Sequence, residues 1–451
     1  MTMLPSTRLC MRRLATSFGV IALALSAALS PAQAVEVERV ISKGGIEAWL
    51  IRDPSNPITT VKVSFRGGAA LDPAGKEGLA NFVASTLDEG AGSMDSSAFQ
   101  KALDDRSISL RFSAGRDSFR ASLRTLNTYR DDAFAYLRLA MNEPRFDENP
   151  LTRIRAQILS GIMQQQEDPS SLASRSIFET AFKGHPYARD NNGTSESVSS
   201  ITASDMRAFV RQRLARNNLI IGVVGDIDAE TLKVYLDKTF GALPATAAPW
   251  QLPMMAPKLQ GSVKVINQDV PQSAIQFAQP GISRSDPDFY TAYVLNYVIG
   301  GGGFVSRLYE EVREKRGLAY SVYTYLMPLD ASAAIMGGAG TANERVSETI
   351  ATVRDVWKKF AAEGPTADEL NDAKTYLTGA FPMRFVSSSA IAETLLGMQE
   401  DNLGIDYIDK RNGYIEAVTL ADAKRVAARL FQPDKLSFAI AGRPLGVVPS
   451  E

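Results

Sequence analysis

An internal repeat constrains this chain more than any other feature. Residues 201–226 (ITASDMRAFVRQRLARNNLIIGVVGD) and 418–443 (VTLADAKRVAARLFQPDKLSFAIAGR) align without a gap at an offset of 217, pairing Thr202 with Thr419, Asp205 with Asp422, Leu219 with Leu436 and Gly225 with Gly442. Each copy predicts a helix that opens at a Thr/Asp cap and runs into a buried strand closed by Gly. Leu159-Ser160-Gly161 recurs as Leu377-Thr378-Gly379 at an offset of 218, so a tandem duplication spans most of the chain. Between the copies, residues 240–258 (FGALPATAAPWQLPMMAPK) carry four Pro and no charge before Lys258, the composition of a linker. The division that follows is an N-terminal domain over 35–240, a linker over 241–260 and a C-terminal domain over 261–451, each of normal single-domain size.

Within the halves, two periodicities mix. Residues 58–65, 108–114 and 119–123 alternate with period two, whereas 129–142 and 150–166 read as helices. The strand runs on either side of Gly115 suggest a hairpin and not a parallel crossover. The expected fold class is therefore α+β, with two homologous domains, each a mainly antiparallel sheet with helices packed on one face.

Composition narrows the function. Lys+Arg number 49 against 50 Asp+Glu, leaving no basic field for a phosphate backbone, so nucleic acid is not expected as a partner. There is one His and one Cys, which leaves little material for zinc sites or nucleophilic dyads. His185 precedes Pro186 in a loop, and with no G-x-S-x-G elbow or reactive Cys to serve, its expected role is structural hydrogen bonding.

The N-terminus reads as an address. Arg8, Arg12 and Arg13 precede an apolar stretch over 14–29, and Ala32-Gln33-Ala34 supplies small residues before Val35. A cleavable signal peptide over 1–34 and export, to a periplasm, follow. The apolar stretch is shorter than the roughly 20 residues needed to span a bilayer. Cleavage would remove Cys10. No later apolar run predicts a membrane association, and Arg12-Arg13 leaves the general and twin-arginine routes both open.

Residues 78–87 (GLANFVASTL) predict a helix that buries Leu79, Phe82, Val83 and Leu87 and places Asn81, Ala84 and Ser85 together on a neighbouring face. Here the chain resembles the pitrilysin and mitochondrial processing peptidase family of inverted zincins, whose metal helix reads H-x-x-E-H within G-L-A-H-F-L-E-H. The resemblance continues through His185-Pro186-Tyr187, Gly193-Thr194, residues 197–205 and Val223–Asp226. It resumes at Val270–Ser273, Pro280-Gly281, Gly301–Leu308 with Arg313, and Gly317–Ser321, and so covers nearly all of 40–443. It implies a processing-peptidase-like metallohydrolase fold. It also implies that the family's two zinc-binding His and its water-activating Glu are replaced here by Asn81, Ser85 and Ala84, and that the third ligand, a Glu, is replaced by Gly161. The Ala84 methyl can neither bind a metal nor move a proton, so no metal or other cofactor is expected in this chain.

What the resemblance leaves is a pair in the second half. Residues 306–314 predict a helix with Leu308, Tyr309 and Val312 inward, Gly317 stops it, and Tyr320 opens a strand running through Tyr325. In the resembled family the corresponding Arg and Tyr reach across a closed chamber to hold substrate and steady the oxyanion over the zinc, a role that falls here on Arg313 and Tyr320. A guanidinium and a phenol suit a peptide carbonyl gaining charge. The plainer alternative is that Arg313 caps a helix C-terminus and Tyr320 fills a half-buried strand position. Gly301, Gly302 and Gly303 lack the Lys-Ser/Thr of a phosphate loop. The resemblance suggests a substrate-contacting glycine loop for them, and close backbone packing is the alternative. Tyr320, Tyr323 and Tyr325 would either half-bury in a strand or line a peptide chamber.

The expected function is that of a catalytically silent subunit of an exported heterodimeric zinc metallopeptidase. A homologous H-x-x-E-H-bearing subunit would supply the zinc, and this chain would close the chamber on a peptide substrate. A non-enzymatic structural or peptide-binding protein that retains the fold is the alternative.

Overall fold

A computed structural model describes residues 36–450, and the signal peptide expected over 1–34 lies outside the described residues. Six strands build the first sheet: β1 (Glu38–Ile41), β2 (Glu47–Arg52), β3 (Ile58–Arg66), β4 (Ser109–Ala114), β5 (Ser118–Leu126) and β6 (Leu219–Gly225), in the order β1-β2-β6-β3-β5-β4. The second sheet holds β7 (Val263–Asn267), β8 (Gln272–Pro280), β9 (Ala319–Leu329), β10 (Ser332–Ala342) and β11 (Ser437–Gly442), in the order β7-β11-β8-β10-β9. Without β1 the two orders correspond strand for strand. The one parallel pair of each sheet falls at the same place, β2 with β6 and β7 with β11.

The repeated segments occupy equivalent positions. The helices Ala203–Arg213 and Leu420–Leu430 lead into β6 and β11, and the Thr202 and Thr419 side chains accept hydrogen bonds from the Asp205 and Asp422 amides. Such caps satisfy otherwise orphaned helix donors. The runs at 58–65, 108–114 and 119–123 lie in β3, β4 and β5, with β4 and β5 forming the antiparallel hairpin expected around Gly115. The helical runs at 129–142 and 150–166 are the helices Arg130–Asn142 and Glu148–Glu167.

Each sheet packs its own half's helices on one face, as the fold class anticipates. Val61, Val63 and Phe65 of β3 meet Phe82, Phe99 and Leu137 in the first core, and Phe277 of β8 meets Trp357, Phe360 and Phe431 in the second. The structure adds a layer on the opposite faces, because the halves exchange a helix. Pro169–Ala181, from the first half, lies across β8 and β11, while Ser388–Glu400, from the second, lies across β3 and β6. Ile177, Phe178, Ala181 and Phe182 thus share a third core with Ala278, Met336 and Ala439 of the second sheet. On the other side, Glu393 pairs with Arg120 at 2.7 Å and with Lys62 at 3.7 Å, Glu400 takes Arg120 and the Ser64 hydroxyl, and Arg66 donates to the Glu400 carbonyl at 2.8 Å.

Residues 241–262 contain no helix or strand. The segment is nevertheless tied down, Met255 donating to the Ala331 carbonyl at 2.9 Å and Lys258 to that of Ala181 at 2.7 Å.

Candidate functional site

The helix Leu79–Ala84 starts at Gly78, whose φ of 91° lies in the left-handed region where a side chain would be strained. The Asp72 carboxylate accepts from the Gly78 and Ala80 amides at 2.9 and 3.0 Å and so sits at the positive end of the helix. Burial outweighs these bonds and pushes its pKa up to about 7. Ala84 is buried, Asn81 and Ser85 half-buried, and the Ser85 hydroxyl donates back to the Asn81 carbonyl at 2.9 Å. Gly161 lies on the neighbouring helix Glu148–Glu167, where an added Cβ would meet open space. Arg155 of that helix stands 5.2 Å from the Phe82 ring centroid.

The positions that the resemblance aligns with metal ligands and the catalytic Glu carry an amide at Asn81, a methyl at Ala84, a hydroxyl at Ser85 and only a hydrogen at Gly161. That donor set does not fit zinc, which takes imidazole, thiolate or carboxylate. Among the described residues no three His, Cys, Asp or Glu side chains are grouped so as to hold a metal ion.

Arg313 and Tyr320 come together 4.7 Å apart, guanidinium carbon to ring centroid, with the Tyr309 ring at 4.8 Å and the Phe304 ring at 5.9 Å. Arg313 also donates to the Tyr309 hydroxyl. Its helix winds with π character over Tyr309–Glu314, and Leu308, Tyr309 and Val312 are buried as their spacing requires. The last carbonyls of this helix are met by others: Arg316 donates to Glu311, Leu318 to Val312 and Gly317 to Arg313. Arg313 is thus free of the capping role, and Tyr320, 82% exposed, is far from half-buried.

A second π turn, Tyr297–Gly301, precedes the glycine run; such turns recur at functional sites. A Cβ on Gly302 would lie 2.7 Å from the Tyr297 carbonyl, so this position demands glycine for packing, whereas one on Gly301 would meet the side-chain Nδ2 of Asn296 at 2.6 Å and the Asn296 carbonyl at 3.1 Å. Gly303 differs, with φ of +59° and open space around it, and it leads into Phe304, 77% exposed. No hydrogen bond joins this group to Asn81, Ala84 or Ser85.

His185 is buried, its Nε2 lying 3.0 Å from the Pro253 carbonyl while Nδ1 accepts from the Tyr187 amide at 3.1 Å. Both ring nitrogens are committed to the backbone, and burial lowers its pKa.

One feature is not evident in the sequence, a cleft of about 530 Å³ between the halves, lined by Arg116, Gln165, Arg175, Gln276, Tyr323 and Tyr325 among others. Tyr323 and Tyr325 stack there at 6.3 Å, and Arg116 lies 3.8 Å from the Phe178 ring centroid. These residues come from separate segments of both halves. Only the tyrosines carry a local signal, their spacing on β9.

Two α+β domains share one topology, with the short helix Leu79–Ala84 in the first and the Arg313–Tyr320 pair in the second. Residues 48–195 match the profile described as insulinase (peptidase family M16), and residues 200–377 match that of the peptidase M16 inactive domain. The chain belongs to peptidase family M16. It is 27% identical over 385 residues to the non-peptidase homolog YmxG of Helicobacter pylori, covering 85% of this chain and 89% of that one. The crystal structure of a peptidase M16 inactive domain from Pseudomonas fluorescens superposes with a TM-score of 0.86 at 29% identity, covering 92% of this chain and 100% of that one. A protease from Helicobacter pylori shares the fold, with a TM-score of 0.81 at 19% identity over 90% of this chain and 99% of that one.

Proposed function

We propose that this chain is the silent subunit of an exported two-chain zinc peptidase, closing the partner's chamber and offering Arg313 and Tyr320 to the peptide held there. The zinc and the activated water belong to a homologous H-x-x-E-H subunit. This chain's part is to bind and orient: the guanidinium and the phenol donate to a substrate carbonyl as its oxygen gains charge. The observation that carries the reading is the exposure of Tyr320 beside a guanidinium not engaged in capping its own helix. A charged donor and an aromatic donor, held together and turned outward, suit a ligand from outside the chain.

Capture of the tagged chain from its native periplasm tests this. A co-purifying H-x-x-E-H homologue is expected, whose peptide hydrolysis falls when the chain is withheld. A partner that works equally fast alone would leave the chain without this role. The inter-half cleft with Tyr323, Tyr325 and Arg116 favours the second reading, a peptide-binding protein acting without a peptidase partner. That reading requires peptide binding by the isolated chain.

A further inference from the structure

A second cavity, of about 510 Å³, lies wholly within the C-terminal half. It opens between the helix Phe289–Asn296, the exchanged helix Ser388–Glu400, the helix Tyr407–Glu416 and β9. Its size is that of a site for a small organic molecule, and its walls have the usual chemistry of one, rings with a few polar groups: Phe289, Tyr290, Tyr293, Phe381 and Tyr407.

Its polar groups are unbalanced. Asp401 is taken by Arg284 at 3.1 Å, and Glu393 by Arg120 and Lys62 of the first half. Arg411 and Arg384 also line the cavity, and among the described residues no carboxylate pairs with either. Arg411 is only 5% exposed. One of its nitrogens, Nη1, donates to the Leu377 carbonyl and to Asn412 Oδ1, both at 3.0 Å. The guanidinium lies 4.2 Å from the Phe381 ring centroid and 5.7 Å from that of Tyr293. A buried charge without a counter-ion costs folding free energy, and here the missing anion can arrive through a cavity.

We propose that this cavity is a binding site for an organic carboxylate with an aromatic or branched apolar body, its carboxylate on the Arg411 and Arg384 guanidinium groups and its body against the rings. A guanidinium suits the planar two-oxygen head of a carboxylate. Glu393 and Asp401 on the same walls weigh against a dianion such as a phosphate monoester. The site is separate from the Arg313–Tyr320 pair and does not depend on a peptidase partner.

The two sources of this chemistry are a free carboxylic acid and the C-terminus of a peptide. Calorimetric titration of the purified chain at pH 7 with N-acetylphenylalanine, its amide, phenyl phosphate and a pentapeptide ending in Phe separates them. Saturable binding of N-acetylphenylalanine is expected, with the amide weaker on the order of 10-fold or more through loss of the charged head. Tighter binding of the pentapeptide would identify chain ends as the natural source, and binding of the free acid alone would identify a small metabolite.

Because Arg411 also holds the Leu377 carbonyl, its variants can fail for structural reasons. Gly397→Leu avoids this. Gly397 lines the cavity in the last turn of its helix, an added Cβ there meets open space, and leucine favours the helix more than glycine does. Gly397→Leu should keep the melting temperature and abolish binding, and Arg384→Ala should weaken it several-fold. No binding by the wild type, equal binding of acid and amide, a preference for phenyl phosphate, or unchanged binding in Gly397→Leu would each overturn the proposal.

Discussion

At Arg313 and Tyr320 the sequence left two readings open, and the surroundings of each side chain weigh on them differently. The cap is excluded because Arg316, Gly317 and Leu318 already meet the terminal carbonyls. On the role proposed for the pair, loss of either donor should therefore appear in rate and not in folding. In a reconstituted complex, Arg313→Ala and Tyr320→Phe should lower turnover on the order of 10- to 10³-fold with assembly intact. Arg313→Lys, which keeps the charge and loses the planar fork, should recover only part of it. Wild-type kinetics in all three would reduce the pair to surface chemistry. Asp72 supports a second residue-scale expectation. With a folded pKa near 7 against an ordinary 3.8, the native state holds a proton that the unfolded chain releases. This contribution to stability is full below about pH 4 and is lost as pH rises through 7, by an amount on the order of a few kcal/mol. Thermal melts of wild type and Asp72→Asn should diverge accordingly, the wild type losing ground to the variant between pH 5 and pH 8. A constant difference across that range would refute the buried titration.

Among the elements, the exchanged helices are the ones whose packing can be probed most directly. Gly222 of β6 faces Ser388–Glu400 so closely that a Cβ would lie 2.9 Å from the Ala392 carbonyl and 3.1 Å from the Leu395 Cβ. Gly222→Val should push this helix off the sheet and cost about 1–3 kcal/mol, measurable as a lower denaturation midpoint. An unchanged midpoint would mean that the contact yields without cost. The same layer explains the burial of β3. Its sequence ITTVKVSFR alternates, yet Thr60 and Ser64 are buried along with Val61, Val63 and Phe65, because Glu393 and Glu400 of the exchanged helix cover the polar side. The mid-helix π turns at 297–301 and 309–314 were not legible either, since their winding shares the apolar spacing of an ordinary helix over so short a run.

The whole molecule is joined by more than its linker. Tyr187 donates to Asp117 Oδ1 at 2.6 Å and accepts from the Ala331 amide at 3.0 Å, while the Asp330 amide donates to Asp117 Oδ2 at 3.1 Å. Hairpin turns of both sheets are thereby fastened to one phenol. With a shared third core and two exchanged helices, the halves should unfold in a single cooperative transition. Fragments 35–240 and 261–451 should be unstable apart and should recombine when co-expressed. Two resolved calorimetric transitions, or a soluble folded fragment, would contradict this. The sequence alone determined the duplication, the strand and helix types and the caps at Thr202 and Thr419. All of these are written in local periodicity and residue chemistry, which act over a few turns of chain. The tertiary structure decided which sheet each of the helices 169–181 and 388–400 covers. It also decided that Arg313 turns to Tyr320 and not to its own helix end, and that Arg411 lines a cavity without a carboxylate partner. Those outcomes depend on contacts between residues far apart in sequence, where an apolar stripe or an arginine specifies that it must be satisfied but not by which surface.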